Sequence, residues 1–210
     1  MSTILAKLFD SADRIKLIRL FLLNPEEVLT AKEISERAKI LPQPLRKEIN
    51  LLFGINFICR KKRAKNTPIK KKSARGGPVS GRKKIDGWSL DPSFPLLTPL
   101  KDLVLDTTPL SREEFLKKIM RAGKINLVVL AGIFIQEDNS RVDVLVVGDK
   151  IKREMVEKVL KTTESEVGKE LAYAIFSTED FIYRVNICDK FVRDILDYPH
   201  QKIFNKLNLV

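Results

Sequence analysis

The chain has 210 residues, of which 44% are hydrophobic and 31% charged, and its formal net charge is +12. This composition is typical of a soluble globular protein with enough apolar residues for real cores, and we expect two domains. No apolar run approaches the roughly 20 residues needed to cross a bilayer, and residues 1–10 lack a signal-peptide pattern. We therefore expect a cytoplasmic protein. Cys59 and Cys188 have no CxxC spacing, which disfavours a zinc site or a disulfide and predicts two buried thiols.

The positive charge is concentrated in one half of the chain. Residues 1–100 contain 21 Lys and Arg against 9 Asp and Glu, whereas residues 101–210 contain 18 of each sign. A strongly basic domain indicates a polyanionic partner, because each neutralised phosphate releases condensed counterions. Membrane headgroups are disfavoured, since no amphipathic helix combines a basic face with exposed aromatic residues. Nucleic acid is the preferred partner.

Three short helices are predicted at the start of the chain. Residues 11–23 have the apolar spacing of a mostly buried helix. Thr30 and Glu33 form a capping-box pattern at the start of the second helix. Gln43 and Pro44 begin the third helix and Gly54 ends it, with a buried stripe of Leu45, Ile49 and Leu52. Helices in this order with tight joints predict a helix-turn-helix unit.

Two strands and a basic segment follow the helices. Residues 55–59 and 85–90 are predicted strands, and we interpret Trp88 in the second as a packing residue. The intervening residues 60–84 contain 12 Lys and Arg and no acid. Such a segment cannot bury a core, so we expect a long mobile loop there. Helix, helix, helix, strand, basic loop, strand is the element order of a winged helix.

The second half of the chain predicts an α/β domain. Residues 91–106 are punctuated by proline and are expected to tether the two halves. The predicted elements after them are helix 111–121, strand 125–134, a polar turn at 136–140, strand 141–147, helix 150–165, strand 170–176 and helices 178–187 and 190–196.

The third helix and the basic segment are the predicted DNA contacts. Arg, Asn and Gln side chains have the hydrogen-bonding groups that distinguish bases in the major groove, whereas the cations of the segment would contact phosphates or a minor groove. The expected DNA-binding residues are Gln43, Arg46, Lys47, Asn50, Lys61, Arg63, Lys70, Lys71, Lys72, Arg75, Arg82, Lys83 and Lys84. RNA is less favoured, because the segment offers no row of aromatic residues for base stacking.

The first half resembles winged helix-turn-helix transcriptional regulators of the MarR and ArsR kind. The resemblance lies in EISERAKILPQPLRKEINLL followed by GINFICRKK, and it covers roughly residues 11–90. It implies a DNA-binding domain, although some such domains are protein-interaction modules.

The second half resembles a small nucleotidyltransferase-fold domain, through LVVLAGIFIQEDNSRVDVLVVGD and ELAYAIFSTEDFIYRV. The family motif has Gly-Ser at the end of one strand and Asp-x-Asp on the next, with a third carboxylate later, to hold two Mg²⁺ ions. Gly132 matches the glycine and Asp143 the second aspartate, but Ile133 replaces the serine and Arg141 the first aspartate. Only Glu170 is available as the third carboxylate. We expect Arg141 to pair with Asp143 and to oppose metal binding, which leaves a vestigial nucleotide site at Gly132, Arg141 and Asp143.

The sequence thus predicts an α+β protein with an N-terminal winged helix-turn-helix domain, residues 1–98, and a small nucleotidyltransferase-like α/β domain, residues 99–210. The expected function is DNA-binding transcription regulation, with double-stranded DNA as partner and no enzyme activity, catalytic residue, metal or cofactor. The second domain would supply homodimerisation, binding of a nucleotide or protein partner, or ligand sensing. The alternatives are an active nucleotidyltransferase that modifies a protein or nucleic acid, and an antitoxin-like interaction protein.

Overall fold

The protein is described by a computed structural model that covers residues 2–72, 78–105, 112–135, 137 and 139–207, with the backbone alone for 2–3, 64–72 and 78–83. It is an α+β protein with two compact units, Thr3–Asp106 (the N-terminal unit) and Thr107–Val210, to which Met1–Ser2 is also assigned (the C-terminal unit). Among the described residues, every helix is too short or too polar to traverse a lipid bilayer.

The N-terminal half places its helices before a two-stranded sheet and ends in one more helix. In chain order its elements are α1 (Ser2–Leu8), α2 (Ala12–Leu23), α3 (Ala31–Ala38), α4 (Pro42–Gly54), β1 (Ile58–Lys72), β2 (Pro78–Leu90) and α5 (Leu97–Leu105). Residues of α2 form the centre of the core, and Leu17 and Phe21 are fully buried there. The three predicted helices are present. The third begins at Pro42, two residues earlier than predicted, because Pro42 itself can occupy the first helical position.

The predicted mobile loop is wrong for most of its length. Residues 60–72 and 78–84 continue the antiparallel strands β1 and β2, with Ala64 opposite Lys84 and Lys65 opposite Lys83. An antiparallel ladder satisfies the backbone groups by mutual hydrogen bonds, so the segment forms strands without burying a core. Leu29 pairs with Trp88 through two backbone hydrogen bonds of 2.8 Å and extends the base of this hairpin.

The predicted tether at residues 91–106 is also wrong, because it contains α5. Val104 is fully buried, and its carbonyl oxygen accepts a hydrogen bond from Nε of Arg19 at 3.4 Å. Leu97 and Leu100 pack against the same core. Pro99 falls in the first helical turn, where proline is tolerated. The predicted domain boundary between residues 98 and 99 therefore lies inside α5, and the units divide after Asp106.

The C-terminal unit has a four-stranded mixed sheet in the order β5-β4-β3-β6. Its elements are α6 (Arg112–Met120), β3 (Lys124–Leu130), β4 (Val144–Asp149), α7 (Arg153–Val167), β5 (Tyr173–Phe176), α8 (Thr178–Asn186), α9 (Lys190–Asp197) and β6 (Gln201–Asn205). β4 runs antiparallel to β3 and parallel to β5. β3 ends four residues earlier than predicted, because Gly132 has φ +53° and begins a 3-10 turn, Gly132–Phe134.

The helices cover both faces of this sheet. Phe181 of α8 and Val192 of α9 pack with Leu127 and Val147 on one face. Successive strand residues alternate between faces, so Val128 and its cross-strand partner Val146 are buried on the other face. α6 lies against β3 and packs with α7. The edge strand β6 was missed from the sequence, since its five residues lack a clear apolar alternation.

Candidate nucleic-acid interface

The helix α4 separates buried from exposed residues as the sequence predicted. Leu45, Ile49 and Leu52 are buried in the core. The polar residues expected to contact bases are all exposed on the other side of the helix, namely Gln43, Arg46, Lys47 and Asn50. Arg46 and Asn50 are four residues apart and therefore project from adjacent turns. The arrangement leaves one row of donors and acceptors open to a partner.

A buried ion pair fixes α4 to the start of α2. Glu48 is 6% exposed, and its Oε2 lies 2.8 Å from Nε of Arg14, while Ser11 donates to Oε1 at 2.8 Å. Arg14 also donates through Nη1 to the carbonyl oxygen of Phe9 at 2.6 Å. The sequence analysis missed this cluster. Its signal was an acidic residue three positions after Leu45 on the apolar stripe, which requires a buried partner.

The start of α3 is linked to β1 through Glu33. The capping box is confirmed: Thr30 N–H donates to Oε2 of Glu33 at 2.8 Å, and Glu33 N–H donates to Oγ1 of Thr30 at 3.3 Å. Oε1 of Glu33 lies 2.6 Å from Nη2 of Arg63. Burial raises the pKa of Glu33, but hydrogen bonds from Thr30 and Arg63 outweigh it and lower that pKa to about 2. The charge of Arg63, a predicted phosphate contact, is therefore partly compensated inside the unit.

An exposed guanidinium covers two aromatic rings beside α4. Arg60 lies 4.9 Å from the ring centroid of Trp88 and 5.4 Å from that of Phe53. These two rings meet edge to face, with centroids 5.3 Å apart. The predicted packing role of Trp88 is confirmed, because its side chain is half-buried against the core. Arg60 was not predicted as a site residue, since only the tertiary fold brings it over Phe53.

The other predicted cations lie along the hairpin. Lys61 and Lys84 are exposed, and Lys62 is 4.0 Å from Asp86. The backbone of Lys70, Lys71 and Lys72 lies in β1, and that of Arg82 and Lys83 in β2. Arg75 lies outside the described residues. Lys65 pairs with Lys83 in the backbone register of this hairpin.

At the predicted vestigial nucleotide site, the carboxylate of Asp143 is engaged by hydrogen bonds within the unit. Oδ1 of Asp143 accepts from Ile133 N–H at 2.9 Å, and Oδ2 accepts from Ala172 N–H at 2.8 Å. A Cβ on Gly132 would collide with the Asp143 carboxylate. Asp143 therefore joins the turn after β3 to the segment that leads into β5.

The predicted pairing of Arg141 with Asp143 is wrong. Arg141 instead pairs with Asp194 on α9, whose Oδ2 lies 2.9 Å from both Nε and Nη2. Arg141 and Asp143 both precede β4, so the alternation of side chains along a strand does not place them side by side. Glu170 is exposed ahead of β5. Within the described part of the chain, no three His, Cys, Asp or Glu residues are grouped so that they could hold a metal ion.

The cysteines differ from the expectation of two buried thiols. Cys59 is half-buried, with Sγ 3.4 Å from Oγ of Ser89. Cys188 is exposed in the turn between α8 and α9, where its φ is +55°. A tight left-handed turn holds this residue at the surface, which the sequence pattern did not reveal.

Comparison with known proteins found no match to the chain among protein-family models, curated proteins or solved structures.

Proposed function

We propose that this protein binds duplex DNA through a winged helix in its N-terminal unit and acts as a cytoplasmic transcription regulator. The observation that carries this proposal is the exposed row of Gln43, Arg46, Lys47 and Asn50 on α4, a helix whose opposite side is anchored in the core. A rigidly held helix with this row suits insertion into a major groove.

The geometry around the hairpin supports the winged-helix assignment. α2, α3 and α4 precede β1 and β2, and the backbone pairing of Leu29 with Trp88 adds a third short segment to the sheet. The hairpin extends from this base as a wing. Its cations would bind phosphates and supply affinity without sequence preference.

The test is binding of the full chain to fluorescent duplexes over a range of salt concentrations. Affinity should fall steeply with salt, and replacing Lys70, Lys71 and Lys72 with Ala should reduce the salt slope by about 2 to 3. A matched variant with Lys158, Lys161 and Lys169 replaced by Ala removes three exposed cations from the C-terminal unit and should retain most of the slope. Salt-independent binding, or no binding, would reject the proposal.

For the C-terminal unit we propose a nucleotidyltransferase-like domain that is catalytically silent. Two-metal chemistry needs carboxylates free to coordinate the ions, but both oxygens of Asp143 accept backbone hydrogen bonds. Arg141 stands where the nucleotidyltransferase motif has an aspartate, and its guanidinium pairs with Asp194. Incubation with labelled nucleoside triphosphates, Mg²⁺ or Mn²⁺ and candidate acceptors should give no transfer above an Asp143→Ala variant. Transfer by the unmodified chain that is lost in the Asp143→Ala variant would show that the unit is an active nucleotidyltransferase and would reject this proposal.

A further inference from the structure

Exposed basic residues of the C-terminal unit cluster on one surface, although residues 101–210 contain equal numbers of basic and acidic residues. Exposed cations gather at one place, where α6 ends, β3 begins and the chain passes from β4 into α7. This surface, the basic end, consists of Lys117, Lys118, Arg121, Lys124, Lys150, Lys152 and Arg153, all of them exposed.

The backbone brings the two parts of the basic end together. Lys152 N–H donates to the carbonyl oxygen of Ala122 at 2.8 Å. Lys124 stands opposite Asp149 at the end of the β3–β4 ladder. A Cβ added to Gly123 would lie 2.8 Å from the carbonyl oxygen of Lys150, so the two connections are in close contact. Cations 26 or more residues apart in the chain thus share one surface.

The cations of the basic end are mostly uncompensated. Among the described residues, Arg153 alone of this set has an ion-pair partner, Glu157 at 3.5 Å. Asp149, the nearest acid in the sheet, accepts hydrogen bonds from the side chain of Asn126 and the backbone of Thr178. Exposed acids nearby are Glu113 and Glu114 in the first turn of α6 and Glu154 in the first turn of α7, so seven cations of this surface face three exposed acids.

The acidic residues of the following helices lie on the other face of the sheet. α8 begins with Glu179 and Asp180, and its Phe181 packs on the face that α9 also covers. Asp180 is paired with Arg184 at 3.1 Å. α6 packs with α7 and against β3, while α8 approaches the basic end at its first residue, where Thr178 N–H donates to Asp149.

We propose that the basic end is a second phosphate-binding surface, which contacts the backbone of duplex DNA. This inference rests on the proposed function, because the N-terminal unit supplies the DNA. Lysines without ion-pair partners suit phosphates approached without base recognition. The C-terminal unit then adds affinity for duplex DNA, although residues 101–210 carry equal numbers of basic and acidic residues.

The chemistry of the surface favours DNA over an anionic membrane. Peripheral membrane binding combines cations with apolar and aromatic side chains that enter the interface. Near the basic end the exposed large side chains with apolar surface are Met120 and Met155, at 36% and 39% exposure, and Tyr173, whose hydroxyl is engaged by a hydrogen bond with Glu157.

The test compares three full-length variants for duplex binding over a range of salt concentrations. The first replaces Lys117, Arg121, Lys124 and Lys152 with Ala. The matched control replaces Lys158, Lys161, Lys169 and Lys202, which are equally exposed cations elsewhere in the unit. The third is the hairpin variant with Lys70, Lys71 and Lys72 replaced. Unchanged thermal unfolding of each variant shows that the fold is retained.

The basic-end variant should lose about 2 to 4 from the salt slope and bind duplex roughly tenfold more weakly or worse, while the control changes the slope by less than about 1. If the hairpin variant weakens binding but the basic-end variant matches the control, the inference is overturned and the proposed function stands. If the unmodified chain binds no duplex, both fail. If the basic-end variant loses binding to phosphatidylserine vesicles while duplex binding persists, the surface is a membrane contact and the inference is also overturned.

Discussion

The polar residues of α4 and those around Asp143 differ in what they contact inside the molecule. On one side of α4 the buried Glu48 pairs with Arg14, and on the other side the four polar residues Gln43, Arg46, Lys47 and Asn50 are exposed. In the C-terminal unit, Asp143 is the residue expected to bind a metal, and both of its carboxylate oxygens accept hydrogen bonds from backbone N–H groups. A polar side chain can serve a ligand only if the fold has not already used its hydrogen-bonding groups. By this criterion the exposed polar residues of α4 are open, that is, available to a ligand, whereas the surroundings of Asp143 are closed to one.

The anchoring of α4 can be broken at Glu48. Glu48→Ala leaves Ser11 and Arg14, whose side chain is 20% exposed, without their acceptor, and the N-terminal unit should lose about 2 to 3 kcal/mol of unfolding free energy. Trp88, the single tryptophan, lies in this unit, so its fluorescence during urea unfolding measures the loss. Glu36→Ala is the control, because Glu36 forms an exposed pair with Lys32 at 3.8 Å and should change stability by less than about 0.5 kcal/mol. Equal effects would show that Glu48 does not anchor the helix.

The structural role of Asp143 predicts a loss confined to the C-terminal unit. Asp143→Ala leaves two backbone N–H groups without acceptors and should destabilise that unit by about 2 kcal/mol. Hydrogen exchange in β3 and β4 should accelerate, while the Trp88 unfolding curve and duplex affinity stay unchanged. Asp197→Ala removes an acid from an exposed pair with Arg193 and should leave exchange unaffected. An Asp143→Ala unit with wild-type exchange rates would mean that this carboxylate is not structural.

The open side of α4 predicts sequence-dependent losses. Arg46→Ala or Asn50→Ala should cost about 1 to 3 kcal/mol on a duplex selected from a random pool and less on an unselected duplex. Competition binding with the two duplexes measures the difference. Because both residues are exposed, folding should be unaffected. Equal losses of affinity on both duplexes would show that Arg46 and Asn50 contact the DNA backbone rather than the bases.

The link between α3 and β1 predicts a smaller, acid-dependent effect. The folded-state pKa of Glu33 is lowered to about 2 from 4.5, so its ionised form stabilises the fold fully above about pH 4.5, and this contribution is lost as the pH falls toward 2. Glu33→Gln should therefore be less stable than wild type by about 1 kcal/mol at pH 7 and nearly equal to it at pH 2. Urea unfolding followed by Trp88 fluorescence measures this difference. A stability difference between Glu33→Gln and wild type that does not change with pH would contradict the lowered pKa of Glu33.

Helix starts and buried helix faces could be predicted from the sequence, because they depend on residues close together in the chain. The helix starts at Ser11 and Thr30 and the buried stripe of α4 follow from capping and periodicity, and both are present. α5 was hidden because the prolines around it masked its apolar spacing. The hairpin was missed because backbone pairing, rather than side-chain burial, forms it.

The partners of charged residues could not be read from the sequence. Arg141 bonds to Asp194, 53 positions away, and Arg14 to Glu48, 34 positions away. Such pairs depend on which helices pack together. The basic end was missed for the same reason, since its cations are brought together by tertiary contacts such as that of Ala122 with Lys152.

The most direct test of the open and closed regions is one amide NMR experiment on the full chain, titrated separately with duplex DNA and with a Mg²⁺–nucleoside triphosphate. The account predicts that duplex shifts the amide signals of Gln43, Arg46, Lys47 and Asn50, and that the nucleotide leaves the amides of Ile133 and Ala172 unchanged because Asp143 holds both. Nucleotide-induced shifts at Ile133 and Ala172, or duplex-induced shifts that spare α4, would contradict it.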